Sequence, residues 1–264
     1  MLLIAERINA TRKSIAAALA ARDAGAIRDE ARRQADAGAD YIDVNTALSP
    51  REEKDLMVWA VNLVRQATDR PISVDSADPK VARAGLALLP KGSAFLNSVS
   101  GETGRLEPML ELVAEFETKV VVLAMDDAGM PTSVDDRWRA LERIFAATDA
   151  LRIPRERIYV DPLVRPVSTN PEQVSQVLGM IRRVREEGGG AKTTCGLSNI
   201  SFGLPRRGHL NRTFLAMAIG AGLESAILDP LAPGMMPTAL AAACLTGEDP
   251  FCMHYIAAQR QGRL

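Results

Sequence analysis

The sequence predicts a single (β/α)8 barrel, the TIM-barrel class of α/β fold, occupying residues 1–264 as one domain. Three observations lead there. The chain has 264 residues, close to the ~250 that such a barrel takes as one unit. Short apolar runs alternate with longer amphipathic stretches eight times. Every short run has an acid or an amide at or beside its end, as expected where eight strands deliver their ends to one mouth.

The short runs read as strands because each is brief and bounded by turn or polar residues. In order they are Leu2–Arg7, Asp40–Asn45, Pro71–Ser76, Ala94–Ser98, Lys119–Met125, Arg157–Asp161, Thr193–Asn199 and Ser225–Asp229. The helical stretches between them are Ala24–Ala37, Pro50–Ala67, Pro79–Leu89, Arg105–Glu115, Val134–Ala150, Pro171–Glu186, Asn211–Ala221 and Met236–Leu245. The first carries Ile27, Ala31, Ala35 and Gly38 on one side, near the 3.6-residue period. Pro50, Pro79 and Pro171 stand where a first helical turn loses no needed N–H. Strand–helix pairs in this order form a parallel sheet. Closure is favoured over an open doubly wound sheet because no Gly-x-Gly-x-x-Gly turn opens any helix. Gly188-Gly189-Gly190 follows a helix and precedes a strand, so it reads as a helix stop.

Composition removes several classes of function. The formal net charge is −1 and aromatics are 4%, which argues against a nucleic-acid surface. No segment approaches the ~18 uninterrupted apolar residues of a membrane span. The opening Met1-Leu2-Leu3-Ile4-Ala5-Glu6 is charged too soon for a signal peptide. Cys195, Cys244 and Cys252 are odd in number and widely spaced, giving neither a disulfide framework nor a zinc pattern. His209 and His254 are too few for most histidine metal sites, so no bound metal is expected. These features point to a cytoplasmic protein.

The strand ends carry the chemistry. They read Glu6-Arg7-Ile8-Asn9, Asp43-Val44-Asn45, Asp75-Ser76, Asn97-Ser98, Asp126-Asp127, Asp161-Pro162, Ser198-Asn199 and Asp229-Pro230. Any one of them has a plain alternative reading as a cap or turn residue; eight in succession are harder to explain that way. A mouth of this kind lacks histidine and a lysine cluster, so phosphate fits it poorly. It suits a divalent cation or a neutral heterocycle rich in N–H donors. A pterin presents a 2-amino group beside a ring N–H, and one carboxylate accepts both in a fork. An amide such as Asn97 matches a mixed donor–acceptor edge.

At these residues the chain resembles the methyltetrahydrofolate:corrinoid protein methyltransferases, a pterin-binding barrel family. The resemblance runs over essentially the whole chain. It is carried by Ala5-Glu6-Arg7-Ile8-Asn9, Asp40-Tyr41-Ile42-Asp43-Val44-Asn45, Ile72-Ser73-Val74-Asp75-Ser76 and Asn97-Ser98. The most specific stretch is Lys192-Thr193-Thr194-Cys195-Gly196-Leu197-Ser198-Asn199-Ile200-Ser201, followed by Leu210-Asn211-Arg212-Thr213-Phe214 and Ala226-Ile227-Leu228-Asp229-Pro230. The resemblance implies that Asp75, Asn97 and Asp161 hold the pterin ring and that Asn199 contacts the methyl-bearing N5. It also brings the Arg206-Arg207 region, with Arg207, near the folate; Glu6, Asn45 and Ser198 are further candidate contacts at the strand ends, where a purely structural role is the alternative for Glu6 and Asn45. Phe202 stands where members acting on a corrinoid iron–sulfur protein often have glutamine. The implied substrates are methyltetrahydrofolate or tetrahydrofolate and a corrinoid such as cob(I)alamin. No Asp-x-His-x-x-Gly motif is present to hold the corrinoid, so it would arrive on a partner protein. The family commonly forms homodimers through barrel helices.

Dihydropteroate synthase is the nearest rival, with the same barrel and pterin residues. It typically carries a Ser-Arg-Lys motif after the seventh strand, where this chain has Gly196-Leu197-Ser198-Asn199 and no following lysine. A non-catalytic folate-binding barrel is a second rival. A metal-dependent barrel hydrolase or aldolase is disfavoured by the missing histidines and the lack of a strand-end lysine. Lys192 falls at the bottom of the barrel in this reading.

Overall fold

A computed structural model describes residues 1–264. Its strands are β1 (Leu2–Asn9), β2 (Tyr41–Asn45), β3 (Ile72–Asp75), β4 (Phe95–Gly101), β5 (Lys119–Asp126), β6 (Ile158–Asp161), β7 (Lys192–Thr193) and β8 (Ser225–Leu228). All neighbouring pairs are parallel, in the order β7-β6-β5-β4-β3-β2-β1-β8. The two ends meet through a parallel bridge between Gly196 and Ile227, with the Ile227 N–H donating to the Cys195 carbonyl at 2.9 Å. The sheet therefore closes into the expected barrel.

The helices are α1 (Lys13–Ala20), α2 (Ala24–Asp36), α3 (Glu53–Ala67), α4 (Pro79–Leu86), α5 (Leu106–Phe116), α6 (Val134–Ala150), α7 (Gln173–Glu187), α8 (Arg207–Gly220), α9 (Met235–Leu245) and α10 (Met253–Arg260). Pro79 is the first residue of α4, and Asp78 caps it by accepting from the Lys80 N–H at 2.8 Å. Pro50 and Pro171 do not open helices; α3 and α7 begin at Glu53 and Gln173. Gly188 closes α7, and Gly189 and Gly190 take φ of +61° and +97° in the turn to β7. Helices α1 and α10 have no counterpart in the sequence reading. No helix is long and apolar enough to cross a membrane.

The two-residue alternation of strand side chains sets the layers. Outward residues such as Ile42, Val44, Val74, Leu96, Val120 and Val160 bury against the helices. Inward residues Ile4, Tyr41, Phe95, Val121, Tyr159 and Ile227 form a separate plug inside the barrel. Phe95 meets Tyr41 and Tyr159 edge-on, with ring centroids 4.8 and 4.7 Å apart. Lys119 Nζ donates to Tyr41 Oη at 2.9 Å, at the strand starts. Two residues further along their strands, on the same inner face, come Glu6, Asp43, Asn97 and Asp161. The apolar plug is thus the floor on which the polar mouth rests.

Two expectations are corrected. The seventh strand is much shorter than Thr193–Asn199. The Thr194 N–H still reaches the Val160 carbonyl at 2.9 Å, but the Gly196 N–H turns to the Asp161 carboxylate at 3.2 Å. The chain then leaves the ladder and winds into a short 3₁₀ turn over Leu197–Ser201. Cys244 and Cys252 are joined in a disulfide, contrary to the reading that the cysteines form none. The chain doubles back after α9 through Gly247 (φ +80°) and brings their Cα atoms to 5.2 Å.

Candidate active site

The mouth is built from the adjacent strands β1–β4, from β6 and from one turn. On β2 and β3, Asn45 stands opposite Asp75, and Asp75 stands opposite Asn97 on β4. Asn45 Nδ2 donates to Asp75 Oδ2 at 3.0 Å, while its Oδ1 accepts from the Ala47 N–H at 3.1 Å. The amide is thereby fixed in one orientation and aims Asp75. Asn97 Nδ2 donates to Asp43 Oδ1 at 3.2 Å.

Asp43 is almost fully buried, at 2% exposure, and the sequence reading did not select it. Burial raises its carboxyl to about 6 despite the Asn97 bond, and Glu6 adds repulsion. Asp75 is pushed well above the usual carboxylate range by burial and by the Asp43 charge beside it. Asp43 and Asp75 therefore act as a close carboxyl pair that favours holding one proton between them. The signal for Asp43 was in the sequence: in Tyr41-Ile42-Asp43-Val44-Asn45, residues 41, 43 and 45 share one face.

Asp161 lies across the barrel. Its Oδ1 accepts from the Leu163 N–H at 2.7 Å and its Oδ2 from the Gly196 N–H at 3.2 Å. Burial still lifts it to about 6. The buried Arg137 guanidinium nearby pulls the other way; it donates to the Pro162 and Ser133 carbonyls, at 2.7 and 2.9 Å, and its Nη2 has no partner. Asp161 has a second use that the sequence did not disclose: it ties the end of β6 to the turn that carries Ser198 and Asn199.

That turn is braced from both sides. Ser198 Oγ donates to Glu6 Oε1 at 3.1 Å. Arg207, the first residue of α8, donates Nη2 to the Ser198 carbonyl at 2.6 Å and Nε to Ser201 Oγ at 2.9 Å. Arg207 thus supports the turn through the backbone and also lies 5.8 Å from the Phe202 ring centroid. Asn199 is exposed. Its Nδ2 would lie 3.0 Å from a Cβ placed on Gly196, so glycine leaves the room in which the amide sits. Phe202 is 64% exposed and forms part of the rim. Glu6 is partly open to the mouth, but its carboxyl group is hemmed in; burial raises it to about 7.

Other strand-end acids do structural work at the rim. Asp127 accepts from the Thr103 N–H at 2.8 Å and from Arg143 Nη1 at 2.9 Å, and it also accepts from Thr103 Oγ1, so it falls to about 2. Asp126 closes a turn by accepting from the Ala128 N–H at 3.0 Å. Asp229 pairs with Arg7 Nη1 at 2.7 Å and accepts from the Leu231 N–H at 3.0 Å. Lys192 lies 5.6 Å from the Tyr159 ring centroid, on the floor side of the plug, and does not reach the mouth.

A cavity of ≈ 670 Å³ opens at the mouth beside Asn45, Glu53, Asp75 and Ser76. A second cavity of ≈ 520 Å³ lies on the lower flank, between Met1, Leu3, Gly38, Met236 and His254. It touches none of the mouth acids, and the larger cavity reaches the bowl at Asn45 and Asp75 alone.

An apolar plug capped by carboxylates and amides defines a barrel enzyme built to receive a polar heterocycle. Residues 5–229 match the family described as pterin binding enzyme, and the chain belongs to that family. It is 33% identical to the methylcorrinoid:tetrahydrofolate methyltransferase of Eubacterium limosum over 266 residues, covering 100% of this chain and 98% of that protein. It is 33% identical to methionine synthase of Mycobacterium leprae over 242 residues, which is 86% of this chain but 20% of that protein. Among solved structures, dihydropteroate synthase of Vibrio fischeri superposes with a TM-score of 0.74 at 18% identity, covering 94% of each chain. The Xanthomonas albilineans dihydropteroate synthase in complex with 7,8-dihydropteroate gives 0.69 at 22% identity, covering 92% of this chain and 93% of that one. At those identities the structures speak for the fold alone.

Proposed function

We propose that this chain moves the N5-methyl group between methyltetrahydrofolate and the cobalt of a corrinoid. The full-length similarity to a methylcorrinoid:tetrahydrofolate methyltransferase supports this class of enzyme. The observation that carries it in the site is Asn199: an amide at the mouth, on a turn braced by Glu6 and Arg207. The lysine typical of dihydropteroate synthase after the seventh strand has no counterpart at this turn: Lys192 lies on the floor side, and Arg207 is engaged with the Ser198 carbonyl.

Asp75, Asn97 and Asp161 are the proposed pterin clamp. Asp75 accepts from the 2-amino group and the adjacent ring N–H, with Asn45 holding it in place. Asn97 matches the mixed edge of the ring, and Asp43 anchors Asn97 from below. Asp161 closes the opposite side. The tertiary amine N5 is a poor leaving group until it gains a proton. The Asn199 carbonyl oxygen accepts a hydrogen bond from protonated N5, an interaction that grows towards the transition state and so speeds transfer. The clamp holds the ring for in-line approach of cobalt.

The corrinoid would be presented by a separate protein seated over the mouth, where Phe202 and Arg207 lie on the rim. A cytoplasmic homodimer without a bound metal is the expected working form. The test is direct: the full chain should methylate cob(I)alamin from methyltetrahydrofolate. It should not join p-aminobenzoate to a pterin pyrophosphate. The reverse pair of results overturns the reading.

A further inference from the structure

Helix α6 carries a charged side chain into the core. Arg137 is the largest side chain in the protein with no exposed surface. Every acceptor it reaches is neutral: the Pro162 carbonyl at 2.7 Å from Nε, and the Ser133 carbonyl at 2.9 Å and Gln176 Oε1 at 3.3 Å from Nη1. Its Nη2 has no partner. A guanidinium does not shed its proton in a protein, and a buried charge is costly unless an opposite charge stands near it. The carboxylates that favour this one are Asp136 and Asp161. Asp136 is already occupied: it accepts from Thr132 Oγ1 at 2.9 Å and from the Ser133 N–H at 3.0 Å, and it pairs with exposed Arg139. Asp161 retains capacity, since each of its oxygens takes a single backbone N–H at 2.7 or 3.2 Å. Pro162, whose carbonyl Arg137 grips, is the residue next to it.

We propose that Arg137 is a positioning residue for the pterin site: its buried cation stands behind Asp161 and holds that carboxylate as the anion, while its bond to the Pro162 carbonyl fixes the strand end from which Asp161 projects. The role rests on the folate reading above. Arg137 touches no substrate and acts only through Asp161. An anionic Asp161 accepts from ring N–H groups with both oxygens; a protonated one loses part of that capacity.

The other groups around Asp161 leave this part to Arg137. Strand β5 sets Leu123 opposite it. Helix α7 presents Gln173 and Gln176, both uncharged. Arg165, in the loop after β6, repels Arg137 and is itself bonded to Gln173 Oε1 at 3.3 Å and the Pro131 carbonyl at 3.5 Å. Cys195, beyond β7, is a buried thiol raised well above its usual range and stays neutral. Glu6 reaches the neighbouring turn through Ser198 and is the other carboxyl on that side of the mouth. Against the burial that lifts Asp161 to about 6, Arg137 is the cation that opposes the rise.

The experiment is tetrahydrofolate affinity by fluorescence titration between pH 5 and 9. It compares the unmodified chain with Arg137→Gln, Arg137→Lys and a surface control on the same helix, Arg139→Gln. Glu6, Asp43 and Asp75 titrate alike in all four, so the difference between profiles reports on Asp161. In Arg137→Gln the weakening at low pH should set in at higher pH. Affinity at pH 5.5 should then be about tenfold below that of the unmodified chain, and at pH 8.5 within about threefold of it. Arg137→Lys keeps the charge without the planar fork, so it should restore the pH dependence even where affinity is lower throughout. Arg139→Gln should follow the unmodified profile. In an Asp161→Asn background, Arg137→Gln should add no further pH-dependent change. An Arg137→Gln loss that is equal at every pH overturns the electrostatic role, as does an unshifted profile. If Arg137→Gln does not fold, Arg137→Lys decides: an unmoved profile supports the role and a displaced one overturns it. A chain with no affinity for tetrahydrofolate at any pH overturns the folate reading itself, and this role with it.

Discussion

The acids of this barrel mouth fall into two regions with opposite chemistry. Outside the bowl, exposed Asp127 after β5 and half-buried Asp136 in the first turn of α6 are wrapped in hydroxyl, backbone and arginine donors, and both are held below the usual carboxylate range. In the bowl, the carboxyl groups of Glu6, Asp43, Asp75 and Asp161 are shut away from water and all are raised, chiefly by burial. The same residue types thus serve either to fix loops and helix ends or to wait for a partner. Buried carboxylates without full compensation are costly to the ligand-free fold, and such costs concentrate where a ligand supplies the missing donors.

The largest expected effect comes from removing a bowl acid that forks to the ring. Asp75→Ala should weaken tetrahydrofolate binding by about 100-fold, from two charge-assisted hydrogen bonds of roughly 1.5 kcal/mol each. Fluorescence titration measures this, and a change under about threefold breaks the assignment.

Next is the pH dependence of stability. Asp43 and Asp161 rise from 3.8 to about 6 on folding, and Glu6 rises from 4.5 to about 7. Across that window the folded chain binds more protons than the unfolded one. Its stability must fall as pH rises from the lower values through the upper ones, and level off above. Calorimetry of the ligand-free chain should give a lower Tm at pH 8 than at pH 5. A Tm that rises over this interval contradicts the bowl's electrostatics.

A smaller effect is expected from Asp43→Asn. It removes a buried like charge while keeping shape and the contact with Asn97. The ligand-free chain should gain on the order of 1 kcal/mol at pH 8, or about 2–4 °C in Tm. A loss of Tm would show that Asp43 is fully compensated. The smallest belongs to the rim: Asp127→Asn should leave tetrahydrofolate binding within about twofold, because its partners are surface groups. A large loss of binding there would erase the distinction between rim and bowl.

Much of this division was legible in the sequence, and its limits have physical causes. The alternation of strand and helix gave the barrel, and strand-end acids gave the mouth. Residue type alone cannot tell a loop-fixing acid from a ligand-facing one, since both end a strand. The period-two pattern in β2 puts Asp43 on the same inner face as Asn45, one turn of the pleat deeper, where only burial against Asp75 and Glu6 sets it apart. Thr193–Asn199 reads as one strand by composition; only the carboxylate of Asp161, distant in sequence, draws the Gly196 N–H off the ladder. Helix α1 lacks a side-chain cap and α10 lies beyond the last strand–helix repeat, so neither had a local signal. The Cys244–Cys252 pairing depends on the chain reversing after α9, which spacing does not reveal.

The account depends most on Asn199 acting on N5 rather than merely lining the mouth. The deciding measurement is single-turnover methylation of cob(I)alamin by methyltetrahydrofolate, with Asn199→Ala beside the unmodified chain and folate saturating in both. The transfer rate should fall by about 100-fold or more, the loss of one charge-assisted contact made in the transition state. An Asn199→Ala variant that transfers methyl at the unmodified rate contradicts it.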